Sequence, residues 1–250
     1  MMPQAERQPV SGLTGGLHSG SHAGMSAGPS RLVSFVLLGV AVCGLWLAVP
    51  RLGNGLAVAP HTDTLGALGQ PSPPSAEAQR RAAAAYERAV AWHDSPEIRA
   101  ARGAVILAAA ARAVDPGAAR GDLERSVREH RLALAGSPAS PYVWTRLLQG
   151  EIALNADPAI IARHLRLALA SAPWEPGLIT ARLGLAFAVW SDLAPADRDA
   201  FAPQIRHAAR LYPASLARQA RARRAQEHVI QALETDPDLL RRFSLAYSRL

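Results

Sequence analysis

The sequence predicts an all-α protein: a single transmembrane helix followed by an α-solenoid of stacked antiparallel helix pairs. Three observations predict it. Leu32 to Val49, LVSFVLLGVAVCGLWLAV, is 18 residues without a charge. Prolines then recur at helix-plus-turn intervals: Pro96, Pro116, Pro141, Pro158, Pro176, Pro195, Pro213 and Pro237, with gaps of 20, 25, 17, 18, 19, 18 and 24 residues. Finally, LALAGSPASPYVWTRL (Leu132 to Leu147) nearly recurs 35 residues later as LALASAPWEPGLITAR (Leu167 to Arg182).

Residues 1–31 include SGLTGGLHSGSHAGMSAGPS, too rich in Gly and Ser to bury a core, and are expected to be a disordered cytoplasmic tail. The apolar run, placed at 32–50, spans about 27 Å as a helix, close to the hydrocarbon thickness of a bilayer. Arg31 and Pro50-Arg51 bracket it, and Trp46 stands near one end, where aromatic rings favour the membrane interface. A cleaved signal peptide is the alternative. Ala57-Val58-Ala59 fits a small-x-small cleavage pattern, but Pro60 follows it and a 31-residue leader is long for a signal, unless translation begins at Met25. A retained anchor is the expectation. The general preference of single N-terminal anchors places the tail inside and the C-terminal domain outside the inner membrane, since Arg7 and Arg31 against Arg51 barely decide orientation. Cys43, inside the run, is the only cysteine, so no intrachain disulfide or thiolate metal site can form. Gly39 and Cys43 together offer a small-residue face for helix association.

Residues 51–75, Gly/Pro-rich and ending in QPSPPS, read as a linker that holds residues 76–250 off the membrane. In that domain proline suits the first helical turn, where no intrahelical N–H is needed, and Ser95, Asp115, Ser140, Asp157 and Asp236 precede a proline as caps. The apolar spacing agrees. Ile179, Leu183, Ala186, Phe187 and Trp190 step by 4, 3, 1 and 3, and Phe201, Ile205, Ala208, Ala209 and Tyr212 repeat that rhythm.

From Ala133 to about Pro173 the chain resembles a tetratricopeptide repeat. Trp144 and Leu147 stand where the repeat's first helix carries Trp and Leu, and Ala168 and Pro173 match the small residue and closing proline of its second helix. Ala133 and Pro138 hold the same relation one unit earlier. The pattern departs at Leu148, where the repeat favours glycine, at Glu151, where it favours tyrosine, and in units of 35 to 37 residues. The resemblance implies stacked helical hairpins with a concave partner-binding face. The layout of tail, anchor and helical domain, with segments Pro138 to Trp144, Ala172 to Pro176 and Trp190 to Leu193, is also similar to membrane proteins of bacterial exopolysaccharide clusters. That likeness implies an accessory role in polysaccharide assembly or export.

All 27 basic residues are arginine. From Ala76 onward 24 arginines face 18 acidic residues, a net of +6 spread along helices, which reads as a solvated surface; no nucleic-acid partner is expected. GMSAG, Gly24 to Gly28, with His18 and His22 nearby, fits a nucleophile pattern but lacks the strand and helix that would flank a nucleophile elbow. His130, His164 and His207 recur at similar places in successive helices, so they stack at separate levels instead of converging on a metal. No phosphate loop, paired carboxylates or cofactor fingerprint appears, and no catalytic residue, metal or cofactor is expected.

Partner contact is expected at Trp174, in the turn beside Glu175 and Pro176, and at Arg146 or Arg182, either of which could hold an anionic group. Trp144 and Trp190 lie on apolar stripes and read as core. Arg218, Arg221 and Arg224 follow every third residue and could share a basic helix side. Taken together, the expected function is a non-enzymatic, membrane-anchored adaptor. It would bind an envelope protein or peptide, with polysaccharide assembly machinery as the setting. The alternative is direct binding of an anionic glycan in the groove. A charged groove would favour the glycan, an apolar small-residue groove the peptide, and buried acids or histidines converging in one pocket an enzyme.

Overall fold

The computed structural model describes residues 28–68, 70 and 72–250. His18, His22 and most of the GMSAG pattern lie outside them, as does the expected tail up to position 27. The chain divides into two units, 1–46 and 47–250. No described residue is in a strand.

α1 runs from Gly28 to Val58. Within the first unit its side chains from Val33 to Trp46 are exposed and apolar all round, which a helix in water does not sustain. This helix is long and apolar enough to cross a membrane, a property shared by anchors and signal sequences.

The second unit begins inside α1. The stretch 51–75, expected as a linker, is mostly helical instead. α1 continues through Pro50 to Val58, a single 3-10 turn covers Ala59–His61, and α2 spans Thr62–Ala67. Its small residues serve close packing. Gly53 touches the Trp92 ring, Asn54 is buried, and Ala57, Val58, Leu65 and Leu68 pack on a cluster built from Ala82, Tyr86, Ala89, Ile98, Ala101 and Val105. Even the proline segment is tied down, since the Pro74 carbonyl accepts from Gln79 Nε2 at 3.2 Å and Arg112 Nη1 at 2.6 Å. Composition alone cannot separate a flexible small-residue stretch from one that lets backbones approach.

The domain continues with α3 (Ala76–Trp92), α4 (Pro96–Ala110), α5 (Pro116–Gly136), α6 (Pro141–Ala153), α7 (Pro158–Ser171), α8 (Pro176–Ala188), α9 (Pro195–Leu211), α10 (Pro213–Ala222), α11 (Gln226–Leu233) and α12 (Pro237–Ser248). All eight expected prolines open a helix. Ser95, Asp115, Asp157 and Asp236 accept backbone N–H groups as caps, whereas Ser140 makes no side-chain cap bond. α11 begins without proline. It follows Arg224, whose φ of 54° ends α10 with a left-handed turn closed by Ala225 N–H donating to Ala220 O at 2.8 Å. Asn155, at φ 52°, closes α6 in the same way.

Consecutive helices from α3 to α12 pack on one another. The even-numbered helices also form a row, with α4 on α6, α6 on α8, α8 on α10 and α10 on α12. Close approaches are set by glycines. Gly103 of α4 lies over the His130 ring of α5, and Gly184 of α8 lies over Gln219 of α10; a Cβ would stand 2.9 Å from the ring and would collide with the Gln219 amide oxygen. The largest core cluster runs from Leu148 to Phe243, with Trp144 and Trp190 half-buried against it as the apolar stripes predict.

Candidate functional site

The row of even helices leaves a trough of about 740 Å³ across α4, α6 and α8. Side chains at i, i+3 and i+4 share a helix side, and each helix presents one such stripe. α4 contributes Ala104, Leu107, Ala108 and Ala110, with Ala111 just past its end, and α8 contributes Gly177, Leu178 and Ala181. α6 contributes Tyr142, Thr145, Arg146, Gln149 and Ala153, the only polar stripe of the three. Alanine and glycine at this spacing keep the walls low, and Leu68 and Leu123 add apolar surface.

Arg146 is the one charged residue among these. Burial pulls its guanidinium below the ordinary arginine range, and only the neighbouring Tyr142 works in the other direction. No ion pair or hydrogen bond with another described residue engages its side chain. The Glu175 carboxylate is already taken, because Tyr142 Oη donates to its Oε1 at 2.7 Å; this bond raises the Tyr142 pKa. A partly desolvated cation without a counter-ion attracts a carboxylate or phosphate, and a guanidinium offers paired donors that match either.

Arg146 also acts inward. His130, fully buried on α5, has its pKa lowered to about 4, chiefly by burial and next by the Arg146 charge, with a hydrogen bond to the Ser126 backbone opposing both. Ser126 Oγ donates its hydrogen to Gly103 O at 2.9 Å, so at 3.3 Å the His130 Nδ1 must be the donor to Ser126 Oγ. Nε2 is then a buried lone pair without a partner.

Of the residues expected to contact a partner, only Arg146 lines the trough. Arg182 is a correction: it is fully buried, and its Nη1 and Nη2 donate to the Ala168 and Ala172 carbonyls at 2.8 Å each, with Nε on Leu178 O at 3.4 Å. It closes the C-terminal end of α7 and cannot reach a ligand. Trp174 is exposed in the turn before α8, with its ring 5.3 Å from that of His207, away from the trough lining. The basic helix side at Arg218, Arg221 and Arg224 is broken up. α10 ends at Ala222, so Arg224 belongs to the left-handed turn. Arg218 bonds Ser215, and Arg221 lies 4.9 Å over the Tyr247 ring and donates to Tyr247 O.

Sequence reasoning missed Tyr142, Thr145 and Gln149. Their 3–4 spacing with Arg146 was legible, but a polar stripe on a helix looks the same whether it faces water or a trough. It also missed that Glu151 is buried, accepting from Arg131 Nη2 at 2.9 Å and bonding His164 Nδ1 at 2.7 Å. That ion pair occupies the place where the tetratricopeptide pattern favours tyrosine. Among the described residues no three His, Cys, Asp or Glu side chains are grouped to hold a metal ion. The chain matches no family model, no curated protein and no solved structure.

Proposed function

We propose that this chain is a membrane-anchored adaptor of tetratricopeptide-like architecture, whose trough takes a peptide segment of a partner protein in the bacterial envelope. In this reading α1 is a retained anchor with its N-terminus inside. The even helices form the inner row of a solenoid, and the partner belongs to polysaccharide assembly machinery. The anchor rests on the apolar length of α1, the solenoid on the contacts between alternate helices, and the setting on the sequence likeness alone.

One observation carries the peptide reading: the trough walls are alanine, leucine and glycine, with a single uncompensated cation at Arg146. A side chain of modest size fits between α4 and α6, and a carboxylate beside it meets the guanidinium. An anionic glycan would ask for more hydrogen-bonding groups than Tyr142, Thr145 and Gln149 supply. The test is photocrosslinking in cells from a reactive residue at Gln149, compared with the same probe in an Ala108→Trp chain that fills the trough. A single envelope protein captured by the first and lost from the second is the expected result. Equal adducts from both chains, or none from a folded and correctly localised domain, sink the peptide reading.

A further inference from the structure

The apolar run of α1 ends at Val49, but the helix does not. Its next turn is held to the folded domain. A Cβ on Gly53 would stand 2.9 Å from Cε3 of Trp92, and Asn54 Nδ2 donates to the His93 carbonyl at 3.4 Å. The turn between α3 and α4 is thereby fixed one helical turn beyond Val49. Gly53 covers part of the Trp92 ring, yet Trp92 remains 57% exposed. Leu52 and Leu56, four residues apart on α1, are exposed at 64% and 68%. Two cations accompany them. Arg51 is exposed and donates only to the Leu47 carbonyl, and Arg88, one turn before Trp92 on α3, is exposed and enters no ion pair among the described residues.

At 1.5 Å per residue Gly53 lies about 6 Å beyond Val49. The headgroup layer of a bilayer is about 5–7 Å thick on each side of the hydrocarbon. A ring packed on Gly53 therefore falls at the depth where tryptophan is enriched, its apolar body towards the acyl chains and its N–H towards water. Arginines at the same level meet lipid phosphates.

The geometry points to a second membrane contact: Trp92, with Leu52, is immersed in the headgroup layer that α1 enters, and Arg51 and Arg88 face its phosphates. This rests on α1 as a retained anchor. A bilayer is favoured over a protein as the occupant because the patch continues directly from the apolar run and so arrives at the membrane with it. The contact would orient the domain against the membrane surface.

The test uses the full chain reconstituted in vesicles of phosphatidylglycerol and phosphatidylcholine, with part of the latter brominated near the top of its acyl chains. Wild type and Trp92→Phe are compared by flotation and by tryptophan emission. Both are expected to float, and the emission lost with Trp92 is expected to be quenched at least twofold by the brominated lipid and shielded from aqueous acrylamide. Leu52→Asp, a change at an exposed position, is expected to return that emission to acrylamide, and it serves as the deciding variant if Trp92→Phe does not fold. Floating protein whose Trp92 emission escapes bromine, or is unchanged by Leu52→Asp, overturns the contact and leaves the anchor standing. Wild type that does not float overturns the anchor and the contact with it.

Discussion

Arg182 illustrates how a residue type misleads when its surroundings are unknown. A lone arginine after an apolar run looks available for an anion, but its guanidinium is enclosed and satisfied by three carbonyls. Deleting it would strand those acceptors without water. Arg182→Met, which keeps most of the volume, is expected to lower stability by about 3 kcal/mol, with Arg182→Lys recovering only part of the loss because one ammonium cannot reach three acceptors. Chemical denaturation of the two variants beside wild type checks this. His130 carries a different signature. Its pKa falls from 6.5 in the unfolded chain to about 4 when folded, so the unfolded chain binds the proton more readily. The contribution is complete above about pH 6.5 and drains away as pH falls through about 4, a loss on the order of 3 kcal/mol. His130→Gln is expected to start less stable at neutral pH and to converge on wild type in acid, which denaturation curves across that range would show. Parallel curves would mean that His130 is not what makes the fold acid-sensitive.

At the level of elements, the proline rule performed well because it rests on one local fact, a missing N–H that the first helical turn does not need. It placed eight helix starts of α3–α12 and missed two: α3, capped by Ser75, and α11, whose start is set by the left-handed turn at Arg224, an arginine where glycine would be the usual signal. The stretch 51–75 went the other way: Gly53 and Ala57 read as slackness until the partner surface of α3 and α4 was in view. The trough was legible only in halves, since the stripe on α6 is local but its opposing alanines come from α4, about forty positions earlier. Glycine has the same double meaning in α4. Gly103→Ala removes a poor helix former, a gain of at most about 1 kcal/mol, and drives a methyl into a buried ring 2.9 Å away, which costs about 1–3 kcal/mol. The ring is fully buried, so the clash is expected to win, and thermal melting should show a lower Tm. A rise in Tm would show that α4 and α5 can slide apart at no cost.

Across the whole second unit, substantial packing joins helices that are neighbours, or two or three places apart, along the chain. Stability in such an arrangement is close to a sum of local interfaces. It explains why the regular prolines told so much about the helices: little depends on distant parts of the sequence meeting. It also explains what they left open: the partner proposed for the trough would be chosen by the few residues that break its apolar walls, above all Arg146. The same arrangement has a mechanical consequence. Among the described residues no substantial packing joins α3 to α12, so small changes at the interfaces between them are not opposed by a contact that ties the ends together. A force applied at one end would be shared among those interfaces before it reached the other.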